Sequence, residues 1–310
     1  MSKMNNSYSH NMNFVDYIKS YNNYFKDSTI QWYYTIRAYK NYFQVINKIK
    51  KNKFPFQVVL RNGKKLILKN KFQAKILPKI WHSCDFDDGM ALIKNNGFEG
   101  IKLLNWEENG DIRSIFLNEE YRTLDVKGKV VIDIGANIGD SAIYFAKKGA
   151  KKIIGIEPLV NNYDVAKKNV ELNGLSEKID LRLDGCGCKK NTRKISTERK
   201  GVYYSLVEDD PEGMDVSITT LDEIIEKIDD ELVLKIDCEG CEYEIILGSQ
   251  NDVLKKFSHI AIEYHCGYKN LKTKLEDCGF RVSVTTPHYN RNRVLNQKSG
   301  SHVGFVYAKK

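Results

Sequence analysis

From Val126 to the C-terminus, short apolar runs alternate with amphipathic stretches, and this alternation restricts the fold more than any other feature of the sequence. Runs such as Lys129–Ile134 and Leu232–Ile236 are typical of buried strands, whereas Ser141–Lys148 has helical periodicity. Strands that alternate with helices predict βαβ units and a doubly wound, mostly parallel sheet. The sequence therefore predicts a Rossmann-like α/β domain over residues 126–310, with a ligand site beyond the carboxyl ends of its strands.

Two further segments precede this domain. Residues 1–55 carry aromatic side chains at helical spacing and predict a basic helical segment. Residues 56–125 predict a β-rich accessory region. Its first hairpin is expected at Phe56–Leu68, and a second is expected to join Ile101–Leu104 to Ile112–Phe116.

The positive charge is concentrated near the N-terminus. The formal net charge is +9, and residues 1–55 hold eight Lys, one Arg and two Asp, a net +7, which leaves +2 for the other 255 residues. Such a segment indicates an anionic membrane, a nucleic acid or a phosphorylated lipid as partner, and a solvated helix face is the alternative. Nucleic acid is disfavoured because residues 126–310 are nearly neutral.

Neither a secretory signal pattern nor an apolar run of the ~18–20 residues that a membrane-spanning helix needs is recognisable. A cytoplasmic protein is therefore expected. Peripheral contact with a membrane through residues 1–55 stays open as an alternative.

The sharpest motif is Val130–Ser141, in which an apolar strand enters a glycine-bearing turn that opens a helix. Asn137 stands where the dinucleotide fingerprint has its second glycine, and the nearby aspartates would repel a pyrophosphate. An ammonium and a sulfonium suit these carboxylates better, and S-adenosylmethionine carries both. The candidate cofactor-binding residues of this motif are Asp133, Gly135, Ala136, Asn137, Gly139 and Asp140.

The next two strand ends supply further candidates for the cofactor. Glu157 lies 22 residues after Gly135, at the spacing of an acidic residue that accepts hydrogen bonds from ribose hydroxyls, and Pro158 follows it. At the end of the third strand, Asp184 and Gly185 are candidates for contact with the adenine.

The fourth and fifth strands end in ionisable residues, although a buried parallel strand is normally apolar. Lys235, Asp237 and Glu239 are spaced two apart, which on a strand places them on one side. Glu263 and His265 repeat this spacing, and His265 is a candidate general base. These five residues are the candidate catalytic residues. A structural ion pair between Lys235 and Asp237 is the alternative for the fourth strand.

Seven cysteines are present, an odd number that predicts reduced thiols. Cys186 and Cys188 form a C-x-C pair, and Cys238 and Cys241 form a C-x-x-C pair, but this combination is not a standard zinc spacing. Small apolar side chains are the simpler interpretation, and we assign no metal site.

With these residues in view, the chain resembles the FkbM family of methyltransferases from about Lys129 to Arg281. The segments that carry the resemblance occur in the family's order: Val131–Asp140, Ile156–Pro158, Lys168–Gly174, Thr219–Asp222, Leu234–Glu242 and Ile262–Glu263. The resemblance implies a class I methyltransferase fold, S-adenosylmethionine as methyl donor, and O-methylation of a sugar, a glycolipid or another small molecule. An RNA methyltransferase that uses the basic segment, or a non-catalytic nucleotide-binding protein, is the alternative.

Overall fold

The computed structural model describes residues 11–87, 89–94, 97–107, 111–195, 213–290 and 301–310, without the side chains of residues 14, 21–29, 290 and 301. The chain divides into two compact units. The large unit comprises Met1–Tyr24 and Tyr121–Lys310, and the small unit comprises Phe25–Glu120.

The small unit is built from helices and short antiparallel strands. Its elements in chain order are α1 (Phe14–Ala38, which begins in the large unit), α2 (Tyr42–Lys50), β1 (Phe56–Val59), β2 (Lys65–Leu68), α3 (Lys71–Ile80), β3 (Cys84–Asp87), β4 (Met90–Ile93) and β5 (Lys102–Leu104). Strands β1 and β2 form an antiparallel hairpin in which Phe56 pairs with Leu68, so the first predicted hairpin is confirmed.

The second predicted hairpin is wrong. Strand β5 pairs with β4, and residues Arg113–Leu117 form a short π-helical turn instead of a strand. Ile112, Ile115 and Phe116 are all buried, and a helical turn places residues with this spacing on one face. Alternation along a strand would have turned one of these apolar side chains to solvent.

Within the basic N-terminal segment, α1 and α2 have the helical structure predicted for this part of the chain, but part of the segment belongs to the core of the small unit. Ala38, Tyr39 and Val45 are fully buried, and Tyr39 forms an isolated antiparallel bridge with Leu60. The segment is therefore not a detachable arm. Among the described helices, none is long and apolar enough to cross a membrane.

The large unit contains the main sheet and the helices that cover it. Its remaining elements are β6 (Val130–Ile134), α4 (Asp140–Lys147), β7 (Lys152–Ile156), α5 (Val160–Leu172), β8 (Ile179–Arg182), β9 (Gly185–Gly187), β10 (Asn191–Ile195), β11 (Met214–Thr220), α6 (Leu221–Ile225), β12 (Leu232–Ile236), α7 (Glu242–Gly248), α8 (Asn251–Leu254), β13 (Phe257–Tyr264), α9 (Lys269–Asp277), β14 (Arg281–Val284), β15 (His288–Asn290) and β16 (Ser301–Lys309).

The main sheet has the strand order β14-β16-β13-β12-β6-β7-β8, with β15 paired to β16. The five strands from β13 to β8 are parallel, and β16 runs antiparallel to both of its neighbours β13 and β14. The predicted α/β fold with a doubly wound, mostly parallel sheet is confirmed. The chain winds from β6 outward to β8 and then returns to β12 on the other side of β6. Strand β6 is thus the switch point beyond whose carboxyl end such sheets bind ligands.

Two features of the large unit lie outside the sequence-based prediction. Strands β9, β10 and β11 form a small separate sheet, in which β11 pairs parallel to β9 and antiparallel to β10. In the main sheet, every residue of β6 and β12 is buried, including Asp133 and Lys235. These two residues are register partners on adjacent strands, which brings opposite charges together inside the sheet.

Candidate functional site

A cleft lies beyond the carboxyl ends of β6, β7 and β12. It encloses about 630 Å³ of space that includes open solvent. Its lining residues come from the turns that follow these strands and from two neighbouring segments: Ile134, Gly135, Asn137, Ile156, Glu157, Pro158, Leu159, Asn162, Cys186, Asp237, Cys238, Glu239 and Cys241.

Backbone geometry forms the floor of the cleft after β6. Gly135 has φ +78°, and a Cβ atom at this position would lie 1.8 Å from the carbonyl oxygen of Asp237. Only glycine therefore allows the turn after β6 to pack against the turn after β12. Asn137 also has a positive φ of 48°, a conformation that asparagine tolerates better than most residues. The glycine turn predicted from the sequence thus places two strand ends in direct contact.

Glu157 connects the turn after β7 to the turn after β6. Its carboxylate accepts hydrogen bonds from the backbone N–H of Asn137 at 2.9 Å and of Leu159 at 3.0 Å, and from Asn162 Nδ2 at 3.4 Å. Burial raises the pKa of Glu157 to about 7, although these hydrogen bonds oppose the rise. The residue lines the cleft, so a buried carboxylate faces the space where a ribose would lie.

Asp133 and Lys235 form a buried ion pair beneath the cleft. Lys235 Nζ lies 2.9 Å from Asp133 Oδ1 and donates a hydrogen bond to the carbonyl oxygen of Gly135 at 2.7 Å. The hydroxyl of Ser141 donates to Asp133 Oδ2 at 2.6 Å. Lys235 of β12 therefore pairs with Asp133 of β6. The ion pair considered from the sequence was between Lys235 and Asp237. Neither member of the pair lines the cleft.

The turn after β12 and the end of β13 bring four ionisable side chains together. His265 Nε2 lies 3.2 Å from Glu239 Oε2, and His265 Nδ1 lies 3.0 Å from Glu242 Oε1. Glu242 is completely buried and also accepts hydrogen bonds from the backbone N–H of Gly240 and of His265. The ligand-type atoms of Asp237, Glu239 and His265 all lie within 4.8 Å of one another.

Electrostatic coupling in this cluster is strong. Burial lowers the pKa of His265, but Glu239 and Glu242 raise it by more, so that it lies well above its usual value. Burial raises the pKa of Glu239 to about 7, and His265 opposes this rise. As long as no other cation is bound beside it, the imidazole of His265 therefore holds a proton between the carboxylates of Glu239 and Glu242. A protonated imidazole is less suited to the general-base role considered from the sequence.

The structure separates the predicted site residues into those that line the cleft and those that do not. The lining residues among them are Gly135, Asn137, Glu157, Pro158, Asp237 and Glu239. The others are Asp133, Ala136, Gly139, Asp140, Asp184, Gly185, Lys235, Glu263 and His265. Of these, Asp140 accepts from the backbone N–H of Ser141, Gly185 pairs with Ile218 in the small sheet, and His265 reaches the site through Glu239.

One geometric expectation for the fourth strand is wrong. Strand β12 ends at Ile236, and Glu239 lies in the following turn with a positive φ of 54°. Glu239 comes close to His265 because of the conformation of this turn, and not because side chains alternate along a strand. Asn162 and Glu242 were not predicted from the sequence. Each lies in the first turn of a helix that follows a strand ending at the site, and an amide or a carboxylate at that position was the available signal.

The cysteines also differ from expectation in one respect. Cys238 and Cys241 are joined by a disulfide at the edge of the cleft, so the prediction that every thiol is reduced is wrong for this pair. Cys186 is buried and free, as expected for a small apolar side chain. Among the described residues, no cysteine belongs to a group of side chains that could hold a metal ion.

The strand order and the cleft beyond β6 define a Rossmann-like, cofactor-binding domain. The residues present fit S-adenosylmethionine, because Gly135 and Asn137 of the turn after β6 line the cleft and Glu157 offers a buried acceptor. Asp237 and Glu239 add negative charge that suits an ammonium and a sulfonium. A dinucleotide fits less well, since its pyrophosphate would face these carboxylates.

Comparison with known proteins finds a family model that matches just under half of the chain. Residues 133–282 match the family model described as the methyltransferase FkbM domain. The chain therefore carries a methyltransferase FkbM domain, and the resemblance found in the sequence is confirmed. The cofactor of this family is S-adenosylmethionine, as the turn after β6 predicted.

The matches to individual relatives have low identity or cover only a short segment. The chain is 29% identical to protein 158B of Sulfolobus islandicus rod-shaped virus 1 over 145 residues, which cover 47% of this chain and 66% of that protein. It is 44% identical to protein arginine N-methyltransferase 1 of Saccharomyces cerevisiae over 55 residues, 18% of this chain and 16% of that protein. The structure of ribosomal protein L11 methylase from Lactobacillus delbrueckii subsp. bulgaricus gives a TM-score of 0.41 at 16% identity, over 73% of this chain and 91% of that chain.

Proposed function

We propose that the chain transfers a methyl group from S-adenosylmethionine to a hydroxyl oxygen of a sugar, a glycolipid or another small molecule. The observation that carries this proposal is the position of Asp237 and Glu239, two carboxylates that line the cofactor cleft at the carboxyl end of β12. When bound, the cofactor supplies a methyl group already activated on a sulfonium. The protein then needs mainly to position the acceptor and to take up its proton.

The side chains of the cleft divide these tasks. Glu157 would accept hydrogen bonds from the ribose hydroxyls of the cofactor, and the Gly135–Asn137 turn would help to hold its nucleoside. Asp237 or Glu239 removes the proton of the acceptor hydroxyl as the new carbon–oxygen bond forms. Glu263 is a further candidate for this proton, and His265 is less suited because it already holds a proton. Lys235 acts indirectly, because its ammonium neutralises Asp133 and fixes the Gly135 carbonyl beneath the cleft.

The charge of the cleft favours a neutral acceptor over a nucleic acid. Glu157, Asp237 and Glu239 line it, and no Lys or Arg is among its lining residues in the described part of the chain. A phosphate backbone would be repelled at this edge. RNA methylation is therefore the second candidate, supported only by the basic residues of the N-terminal segment.

A label-transfer experiment tests both candidates. The purified protein is incubated with methyl-labelled S-adenosylmethionine and an extract of the cells that encode it, and portions are then treated with ribonuclease, with protease or by organic extraction. We expect label in a small-molecule or lipid fraction that resists both enzymes. Label that ribonuclease releases would establish the RNA alternative instead.

Matched variants link the label to the site. Asp237→Asn should lower transfer at least tenfold, since a carboxylate that accepts the proton contributes about 10²–10⁴-fold. Asp252→Asn is the control, because Asp252 lies on α8 and its side chain is 94% exposed. Equal transfer by the two variants would remove Asp237 from the mechanism. No heat with S-adenosylmethionine or its demethylated product in calorimetry would refute the cofactor assignment for this chain.

We further propose that the N-terminal segment brings the enzyme to an anionic lipid surface. Tyr33, Ile36 and Phe43 are 54%, 41% and 75% exposed. They lie on α1 and α2 within the segment of net charge +7. Apolar and basic side chains together suit an interface with anionic lipids, where each Lys or Arg near the surface contributes about 1 kcal/mol.

Sedimentation with vesicles of phosphatidylserine and phosphatidylcholine tests this second proposal. Ile36→Ser combined with Phe43→Ser should lower the bound fraction, and high salt should lower it further. Ile67→Ser is the control, because Ile67 is 59% exposed on the hairpin of the same unit. Absence of binding by the unaltered protein, or equal binding to phosphatidylcholine alone, would show that this face is only a solvated helix surface.

A further inference from the structure

We infer that Asp237, Glu239 and His265 form a binding site for one divalent metal ion at the edge of the cleft. Each residue offers one ligand atom, and the three atoms lie within 4.8 Å of one another. Bonds of about 2.1 Å hold the ligands of one ion at most about 4.2 Å apart, so binding would draw the three together slightly. Two carboxylates and one imidazole suit ions such as Mn²⁺, Fe²⁺ or Zn²⁺.

The contact between Glu239 and His265 points independently to a shared cation. Glu239 Oε2 is buried and accepts no hydrogen bond among the described residues, although His265 Nε2 is only 3.2 Å away. The contact is an ion pair without hydrogen-bond geometry. It leaves a buried carboxylate oxygen that a metal ion bound between the two side chains would satisfy.

The second nitrogen of His265 is already oriented as in a metal site. Nδ1 lies 3.0 Å from Glu242 Oε1, and Glu242 is held by the backbone N–H groups of Gly240 and His265. A carboxylate on one ring nitrogen places the proton there and leaves the other nitrogen free to bind a metal. Glu242 is thus a positioning residue for His265.

The charge of this edge also favours a cation. Asp237, Glu239 and Glu242 bring three carboxyl groups to it, and His265 supplies at most one positive charge. Lys235 contributes little more, because its ammonium is paired with Asp133 at 2.9 Å. A divalent ion would neutralise the two carboxylates that bind it.

The turn that carries Glu239 is held in an unfavourable conformation. Glu239 has φ +54° and the following Gly240 has φ +116°. A non-glycine residue in the left-handed region is strained, and such residues cluster at functional sites. Here the conformation directs the Glu239 carboxylate toward His265.

The place of the ion gives it a role in the reaction, and this role rests on the proposed function. Asp237 and Glu239 line the cleft, so the coordination positions that the protein leaves open would face the acceptor. A hydroxyl oxygen bound there would lose its proton more readily, because a metal ion stabilises the alkoxide. With three protein ligands the site has the open geometry of catalytic metal centres.

Binding of Mn²⁺ to the full-length protein tests the site without reference to activity. After treatment with a chelator and buffer exchange, the loss of the free Mn²⁺ signal in electron paramagnetic resonance should give one site per chain. Asp237→Asn and Glu239→Gln should each weaken binding at least tenfold, and Asp252→Asn should not. Circular dichroism melting establishes that each variant is folded, and either of the first two suffices if the other fails to fold. Absence of binding at millimolar Mn²⁺, or binding that neither variant weakens, would overturn the site.

Two further measurements separate this inference from the proposed function. Calorimetry with the demethylated cofactor in the presence of chelator should still give binding, since Glu157 is not a ligand of the ion. Methyl transfer should fall at least tenfold with chelator and return with Mn²⁺. Transfer that is equally fast in chelator would overturn the role of the ion and leave the methyltransferase proposal standing.

Discussion

Replacing Lys235 by methionine tests the buried ion pair that supports the cleft. Methionine has a similar length and no charge, so the variant leaves Asp133 as a fully buried carboxylate without its cation. Ser141 would still donate to the other carboxylate oxygen, but the Gly135 carbonyl would lose the hydrogen bond from Nζ. Removing one partner of a buried ion pair costs about 3–5 kcal/mol. We expect the free energy of unfolding to fall by that amount.

A matched variant shows whether burial is the cause. Lys190→Met removes the cation of an exposed pair with Glu223, at 2.9 Å and with side chains 73% and 39% exposed. Such pairs contribute about 0–1 kcal/mol. The double variant Asp133→Asn with Lys235→Met should recover more than half of the loss, because it leaves no unpaired charge. Urea unfolding followed by circular dichroism measures all three. A loss for Lys235→Met no larger than that for Lys190→Met would refute the reasoning.

Three further predictions concern Glu157 and the disulfide. Glu157→Gln should weaken binding of the demethylated cofactor by about 1–3 kcal/mol in calorimetry. Glu171→Gln on the exposed face of α5 is the control. An equal effect of the two variants would mean that the ribose binds elsewhere. Because burial raises the pKa of Glu157 from 4.5 to about 7, the folded state holds more protons than the unfolded state between these values. The unfolding free energy of the unaltered protein should therefore fall relative to that of Glu157→Gln by about 3 kcal/mol between pH 4.5 and 8. If urea titrations show that the difference between the two proteins does not change with pH, or changes in the opposite direction, the burial argument is contradicted. In denaturant without reductant, an alkylating reagent should modify every cysteine except Cys238 and Cys241, and mass spectrometry that finds all seven modified would contradict the disulfide.

Sequence periodicity predicted the elements of the main sheet well, because the local pattern and the tertiary environment agree there. The strands Val130–Ile134 and Lys152–Ile156 are nearly continuous apolar runs, as buried parallel strands require. The glycine turn and Glu157 could also be placed, because close backbone approach and a fixed spacing along a βαβ unit leave local signatures. The small unit was harder, since short segments such as Arg113–Leu117 fit a strand or a helix equally well.

The sequence by itself determined the α/β fold class, the cofactor turn and the strand ends at which charged residues gather. Tertiary structure alone decided which of those charges meet. Lys235 and Asp133 are 102 residues apart in the chain and pair because β12 and β6 are neighbours in register. Glu239 approaches His265 through a left-handed turn, and Glu242 orients that histidine from the next helix. Strand adjacency and turn conformation depend on long-range packing, so no local pattern encodes these pairings.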